Sequence, residues 1–316
     1  MHICRYDAPR PAAHAPANRI MSEDMVGSSI AVDVVVRSSS RLGEGPVWDP
    51  EGELLWWVDI LAGRVLRSSI DDGTTVCWEL PTLVGAVAPA VDGGAVVACK
   101  EGFGTLSSGG DFEVKLKILS PDHRMNDGKC DPSGRMWAGS MKMPPAPGEG
   151  VLRRLGADWD SQVVCEGLSL PNGIGWSPDS RFMYLADSLR RVIEVFDFDK
   201  DDGTVCKRRT LIDFDPAGGL PDGLCVDSSG CLWVAMWGGF RVLRISPRGE
   251  VLGEVPMPVR QPTSCAFGGR DLDVLFVTSA REGLHLPVGG EEADGSVFAL
   301  TGVGTQGMAQ ARFGGS

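Results

Sequence analysis

Apolar and polar positions along this chain alternate in short segments. Brief runs rich in Val, Ile, Leu and Trp are broken by Gly, Pro, Asp and Ser, and little of the chain keeps apolar residues at helical spacing. That is the pattern of strands joined by turns. The pattern also repeats. A polar residue, a short apolar strand, a turn with Asp/Ser-Pro or Gly, and a second apolar strand recur. Clear copies are EGPVWDPEGELLWWVDI from Glu44, NDGKCDPSGRMWAGS from Asn126, NGIGWSPDSRFMYLADS from Asn172 and DGLCVDSSGCLWVAMW from Asp222. Weaker copies are VAPAVDGGAVVACK from Val87 and TSCAFGGRDLDVLFVTS from Thr263. The copies stand about 40 to 50 residues apart, the period of a four-stranded propeller blade. Six copies predict an all-β chain, a six-bladed β-propeller of four-stranded blades occupying residues 31–316 as one domain. AVDVVV, residues 31 to 36, is expected to complete the last blade and close the ring. A β-sandwich would not require such regular repeats.

Hairpin turns fit this reading. Asp49-Pro50-Glu51-Gly52, Asp131-Pro132-Ser133-Gly134 and Ser177-Pro178-Asp179-Ser180 place Pro where a type I turn favours it. Residues 1–30 differ: they are Pro/Ala-rich at their start, lack the apolar core of a signal peptide, and read as a disordered extension. The net charge of −12 argues against nucleic acid and anionic membrane as partners, since both select basic surfaces. Nine dispersed cysteines without a Cys-x-x-Cys pair read as free thiols in a reducing, cytoplasmic setting. Cys99, Cys130, Cys225 and Cys265, inside apolar runs, read as small core residues.

Candidate chemistry comes from aligning the repeats. Counting back five residues from Asp49, Asp92, Asp131, Ser177, Asp227 and Gly268 gives Glu44, Val87, Asn126, Asn172, Asp222 and Thr263. Equivalent positions of a propeller lie on a ring around its central channel. Five of the six are oxygen-bearing side chains. Each Asn-Gly or Asp-Gly pair taken alone is also an ordinary turn signal; the recurrence is what suggests a ring. Carboxylates and carboxamides facing one axis need a cation to be tolerated. Oxygen donors without sulfur or imidazole suit a hard divalent ion such as calcium, magnesium or manganese. Among the four histidines, His123 neighbours Arg124 and His285 falls in a late loop, so no His cluster suggests a zinc enzyme of the His-rich kind. There is no Gly-x-Ser-x-Gly elbow and no Walker loop. The Trp residues at blade positions (Trp48, Trp56, Trp57, Trp176 and Trp233) read as core packing.

GEGPVW, RMNDGKCDPSGRMWAGSM, LPNGIGWSPD, PDGLCVDSSGCLWVAMW and PTSCAFGG, in that order, resemble the motifs of the gluconolactonase/senescence marker protein family. That family includes regucalcin and bacterial sugar lactonases, and the likeness runs from about residue 38 to 300. It implies one divalent metal in the channel (calcium, zinc, manganese, magnesium or iron(II)) with Glu44, Asn172 and Asp222 as ligands. It implies that Arg124 and Asn126 hold the sugar. Glu149, in AGSMKMPPAPGEGVL, falls near a further substrate contact of the family without matching it cleanly. The late segment WGGFRVLRISPRGEVLGEVPMPV resembles the bacterial aldonolactonases more than the animal proteins.

The expected activity is therefore hydrolysis of a small sugar lactone to its aldonic acid. The metal would act as Lewis acid, and Asp222 as general base as well as ligand. Two other readings are a calcium-binding regulatory propeller without important turnover and a broader esterase or organophosphate hydrolase on the same scaffold.

Overall fold

The computed structural model describes residues 30–284 and 293–315. Residues 1–29 of the proposed N-terminal extension and His285 lie outside them. Six antiparallel four-stranded sheets are present, each built of strands consecutive in sequence except the last. Their inner strands are Gly43–Asp49, Val84–Pro89, His123–Cys130, Pro171–Trp176, Leu220–Val226 and Pro262–Gly268, in blades one to six. Each inner strand packs on the next, and the sixth packs on the first, so they ring a central channel. Blade six takes its outermost strand, Ala31–Val36, from the start of the described chain, paired Ala31 with Thr301. The expected six-bladed propeller and its closure by AVDVVV are therefore present.

Six apolar clusters hold the ring, one at each blade–blade boundary. Trp137, Leu152, Trp176 and Phe198 join blades three and four; Trp48, Leu55, Trp57 and Phe276 join blades six and one. Because both faces of an inner strand meet a neighbouring blade, these strands are buried along nearly their whole length rather than at alternate residues. Trp48, Trp56, Trp57, Trp176 and Trp233 are buried, as are Cys99, Cys130, Cys225 and Cys265. All cysteines among the described residues are free.

At the back end of the blades the inner strands turn into their neighbours, and short polar side chains fix the turn. Asp131 Oδ1 accepts from Ser133 N at 2.9 Å and Arg135 N at 3.1 Å, while its Oδ2 accepts from Trp137 Nε1 at 2.9 Å. Asp227 does the same for Ser229 N, Cys231 N and Trp233 Nε1. A buried carboxylate with this many donors ties the hairpin to the tryptophan beneath it.

Candidate functional site

The candidate residues sit at the other, front end, where each inner strand begins. Pairing there slips by one residue in every blade: between Glu44 and Val47, Val84 and Ala86, Met125 and Gly128, Pro171 and Ile174, Pro221 and Leu224, and Pro262 and Ser264. Such a bulge swings a side chain away from the sheet face. It turns Glu44, Asn126, Asn172 and Asp222 toward the channel, all buried at 4–6% exposure. The glycines that follow let neighbouring inner strands approach at backbone distance. A Cβ on Gly173 would stand 2.5 Å from Asp222 O, and one on Gly223 would fall inside the Ser264 side chain.

One ring assignment is corrected, together with the turn position from which it was counted. The position equivalent to Glu44 in blade two is Gly85, not Val87. Leu83 O accepts from Lys100 N as Leu42 O accepts from Ile60 N, which fixes the register. Ala90, not Asp92, holds the turn position, because Ala90 N bonds to Gly94 O while Asp92 lies at the hairpin tip. Val87 is core, packed with Val47, Val58 and Val97. Thr263 is on the ring, but its hydroxyl lies 2.5 Å from Gly43 O and 2.8 Å from Thr278 Oγ1, so it serves blade closure.

The oxygen atoms of the remaining group are oriented by their neighbours. Ser188 Oγ donates to Pro221 O at 2.7 Å, leaving only a lone pair for Asn172 Nδ2 at 3.1 Å. Asn172 therefore turns its nitrogen to Ser188 and its oxygen inward. Asn172 Oδ1 and Asp222 Oδ1 are buried and have no hydrogen-bond partner. Glu44 Oε2 accepts from Gly45 N at 3.1 Å. Burial first, and then the charge of Asp127, holds the Glu44 carboxyl well above the usual range. Burial followed by the charges of Glu44 and Asp127 does the same to Asp222. Buried oxygens without donors, and two neighbouring buried carboxyls that the one guanidinium of Arg124 only partly offsets, are costly unless something shares them. An oxygen-only set of two carboxylates and one carboxamide fits a hard divalent cation. Among the described residues no cluster of three His, Cys, Asp or Glu side chains forms a metal site of its own, so the carboxamide is needed to complete the donor set.

Arg124 enters the same space. It is 7% exposed; burial pulls it down to about 10, opposed by the charges of Glu44 and Asp222. Its Nη1 donates to Asn126 Oδ1 at 2.8 Å and to Met125 O at 2.9 Å, and Asn126 Nδ2 donates to Pro171 O at 2.9 Å. Asn126 thus fixes the guanidinium, whose other N–H groups remain to meet a ligand. Glu149 is not part of this buried group. It lies in the front-end loop between Met136–Lys142 and Gly150–Leu155, half exposed, 3.9 Å from Lys142 Nζ. His123, at the same end, holds Asp122 Oδ1 at 3.0 Å. The motif reading missed Asp127 and Lys129, both buried in the channel strand of blade three. The available signal was the run of charged and polar residues, His123-Arg124-Met125-Asn126-Asp127-Gly128-Lys129, within a single inner strand.

With this geometry in view, the comparisons are informative. Residues 42–281 match the family model described as the SMP-30/Gluconolactonase/LRE-like region. The chain is 40% identical over 289 residues to a 6-deoxy-6-sulfogluconolactonase of Pseudomonas putida, covering 89% of this chain and 98% of that protein. It is 37% identical to regucalcin of Danio rerio, covering 89% and 97%. A luciferin-regenerating enzyme superposes with a TM-score of 0.84 at 30% identity, over 90% of this chain and 99% of that one. A calcium-binding protein, regucalcin, from Agrobacterium tumefaciens superposes with a TM-score of 0.84 at 29% identity, over 90% and 97%.

Proposed function

The chain belongs to the SMP-30/gluconolactonase/LRE-like family, and from that premise we propose that it hydrolyses a small sugar lactone, using one divalent cation held by Glu44, Asn172 and Asp222. The observation that carries the reading is the pair of buried, unpartnered oxygens, Asn172 Oδ1 and Asp222 Oδ1, beside the Glu44 carboxylate and the Arg124 guanidinium. Glu44, Asn172 and Asp222 would hold the cation, and the chemistry it would supply there is Lewis acidity toward the lactone carbonyl.

The protein's own groups supply the rest. Asp222 Oδ1, having no donor, accepts the proton of the attacking water as general base. Arg124 donates to the oxygens of the lactone, held at a fixed angle by Asn126. Asn126 reaches the substrate with the capacity its two bonds leave over, and Glu149, at the rim, is the outermost contact. Substrate class follows from polarity, since buried Arg and Asn donors suit hydroxyl-bearing rings better than apolar esters. The sulfonated lactone named for the Pseudomonas relative, gluconolactone and related aldonolactones form the natural test panel.

The regulatory alternative, favoured by the likeness to regucalcins, predicts cation binding without turnover. One experiment separates the two. Metal-stripped protein is assayed by pH indicator against the panel, with calcium, zinc, manganese, magnesium and iron(II) returned singly. The expected result is turnover restored by metal and reduced at least 10³-fold in Asp222→Ala, comparable to loss of a main catalytic group. Cation binding with no hydrolysis of any lactone would refute the lactonase reading in favour of the binding protein.

A further inference from the structure

Two charged side chains share the channel with the donor group, and neither belongs to the sites proposed above. Asp127 follows Asn126 in the bulge of blade three, where blades one, four and five carry Gly45, Gly173 and Gly223. A glycine would suffice for the turn, yet this blade places a carboxylate there, 5% exposed. Asp127 Oδ1 accepts from Gly128 N at 2.7 Å. The same atom lies 3.9 Å from where a Cβ on Gly45 would stand, so the carboxylate rests against the backbone that carries Glu44. Its charge acts on both Glu44 and Asp222.

Lys129 is two residues further along the same strand, 8% exposed. Its Nζ donates to Leu224 O at 2.8 Å, bridging blades three and five through the channel. It lines a cavity of about 580 Å³ at the back end, together with Trp176, Cys225, Phe267 and Arg312. Its positive charge acts on Asp127. Glu44, Asp127 and Asp222 thus face Arg124 and Lys129. With all five ionised, the channel holds one excess negative charge, and a divalent ion would reverse that sign in favour of an oxyanion.

We infer that Asp127 serves the cation from its outer shell, accepting hydrogen bonds from the water around it, and that Lys129 closes the channel behind as the counter-charge that tempers cation affinity. The inference rests on the metal reading proposed above. Outer-shell partners of this kind govern affinity without being ligands.

The test is a calorimetric titration of calcium chloride into metal-stripped wild type, Glu44→Gln, Asp127→Asn and Lys129→Met, each checked for fold by circular dichroism. Wild type is expected to bind one ion and Glu44→Gln to lose it. Asp127→Asn should bind about 10- to 100-fold more weakly, and Lys129→Met about 3- to 10-fold more tightly. Europium(III) luminescence lifetimes in H2O and D2O should count the same number of coordinated waters in Asp127→Asn as in wild type. Unchanged calcium affinity in Asp127→Asn overturns the inference while leaving the metal reading intact. A gain of one coordinated water would make Asp127 a direct ligand and overturns the outer-shell role. Unchanged or weaker binding in Lys129→Met overturns the role of the lysine, even if Asp127→Asn fails to fold. No binding by wild type of calcium, or of zinc, manganese, magnesium or iron(II) titrated in its place, would refute the metal reading itself.

Discussion

Glu44 and Asp222 are single residues whose chemistry differs from that of ordinary surface carboxylates. Burial raises both carboxyls in the cation-free protein, so the folded state holds their protons more tightly than the unfolded chain does. The sign follows from linkage. Stability from these two groups is fully present below their unfolded values, near pH 4, and is lost as pH rises through the raised folded values. Metal-stripped wild type should therefore lose urea stability relative to Glu44→Gln as pH rises above about 4. Saturating calcium should flatten or reverse that difference, because a cation favours the ionised forms. Urea midpoints as a function of pH, with chelator and with calcium, check both signs. A wild-type stability that rises relative to the variant in chelator would contradict the burial argument. The residue scale also shows what side-chain type alone leaves open: Thr263 is polar and on the ring, yet its hydroxyl is spent on Gly43 O and Thr278.

The unit that places these residues is the inner strand with its entrance bulge. Four blades use the same device to turn Glu44, Asn126, Asn172 and Asp222 inward, and glycines make room for it. Gly173→Ala would drive a Cβ against Asp222 O and is expected to cost about 1–3 kcal/mol of stability and to weaken cation binding, since both neighbours are proposed ligands. Gly253→Ala, in the exposed outer strand Val251–Pro256 with nothing within 4 Å of its Cβ, should change stability by less than about 1 kcal/mol. Chemical denaturation and a calcium titration of the two variants give the comparison. Equal effects would mean that close approach of the inner strands does not matter. At this scale the sequence was largely legible. Repeat spacing and Asp-Pro turns gave the strands, while the register in blade two needed the hydrogen bonds of Leu83 and Ala90, because Asp92 imitates a turn residue two positions late.

The whole molecule is a ring with two unlike ends. At the front are the bulges and the polar group. The back is crossed by residues 303–315, a segment outside the six sheets. Phe313, 6% exposed, packs with Ala90 and Phe103, and its backbone exchanges hydrogen bonds with Pro89 and Val91. Arg312 pairs with Asp49, and at 2.6 Å with Glu51, both at the hairpin of blade one. The segment thereby ties blades one to three to one another and covers the back cavity. Phe313→Ala should lower stability by about 3 kcal/mol, in the range for losing a buried aromatic, and leave the KM for a lactone unchanged, because the proposed substrate site opens at the other end. Thermal melting and steady-state kinetics would test this; a raised KM at unchanged stability would count against it. Among the described residues no helix is long and apolar enough to cross a membrane.

By itself the sequence determined the all-β class, the number of blades, the N-terminal strand that closes the ring, and four of the polar positions facing the channel. Those features rest on period and turn chemistry, which are local and repeat along the chain. Only the tertiary structure decided which polar side chains have partners to spend themselves on, as Thr263 does, and which have none, as Asn172 Oδ1 and Asp222 Oδ1. It also decided that Asp127 and Lys129 join them from the middle of a buried strand, and that residues 303–315 cover the far end. The reason is physical. Desolvation and the pairing of charges depend on which strands meet across the channel, and partners such as Lys129 and Leu224 lie 95 residues apart, a separation that no local pattern encodes.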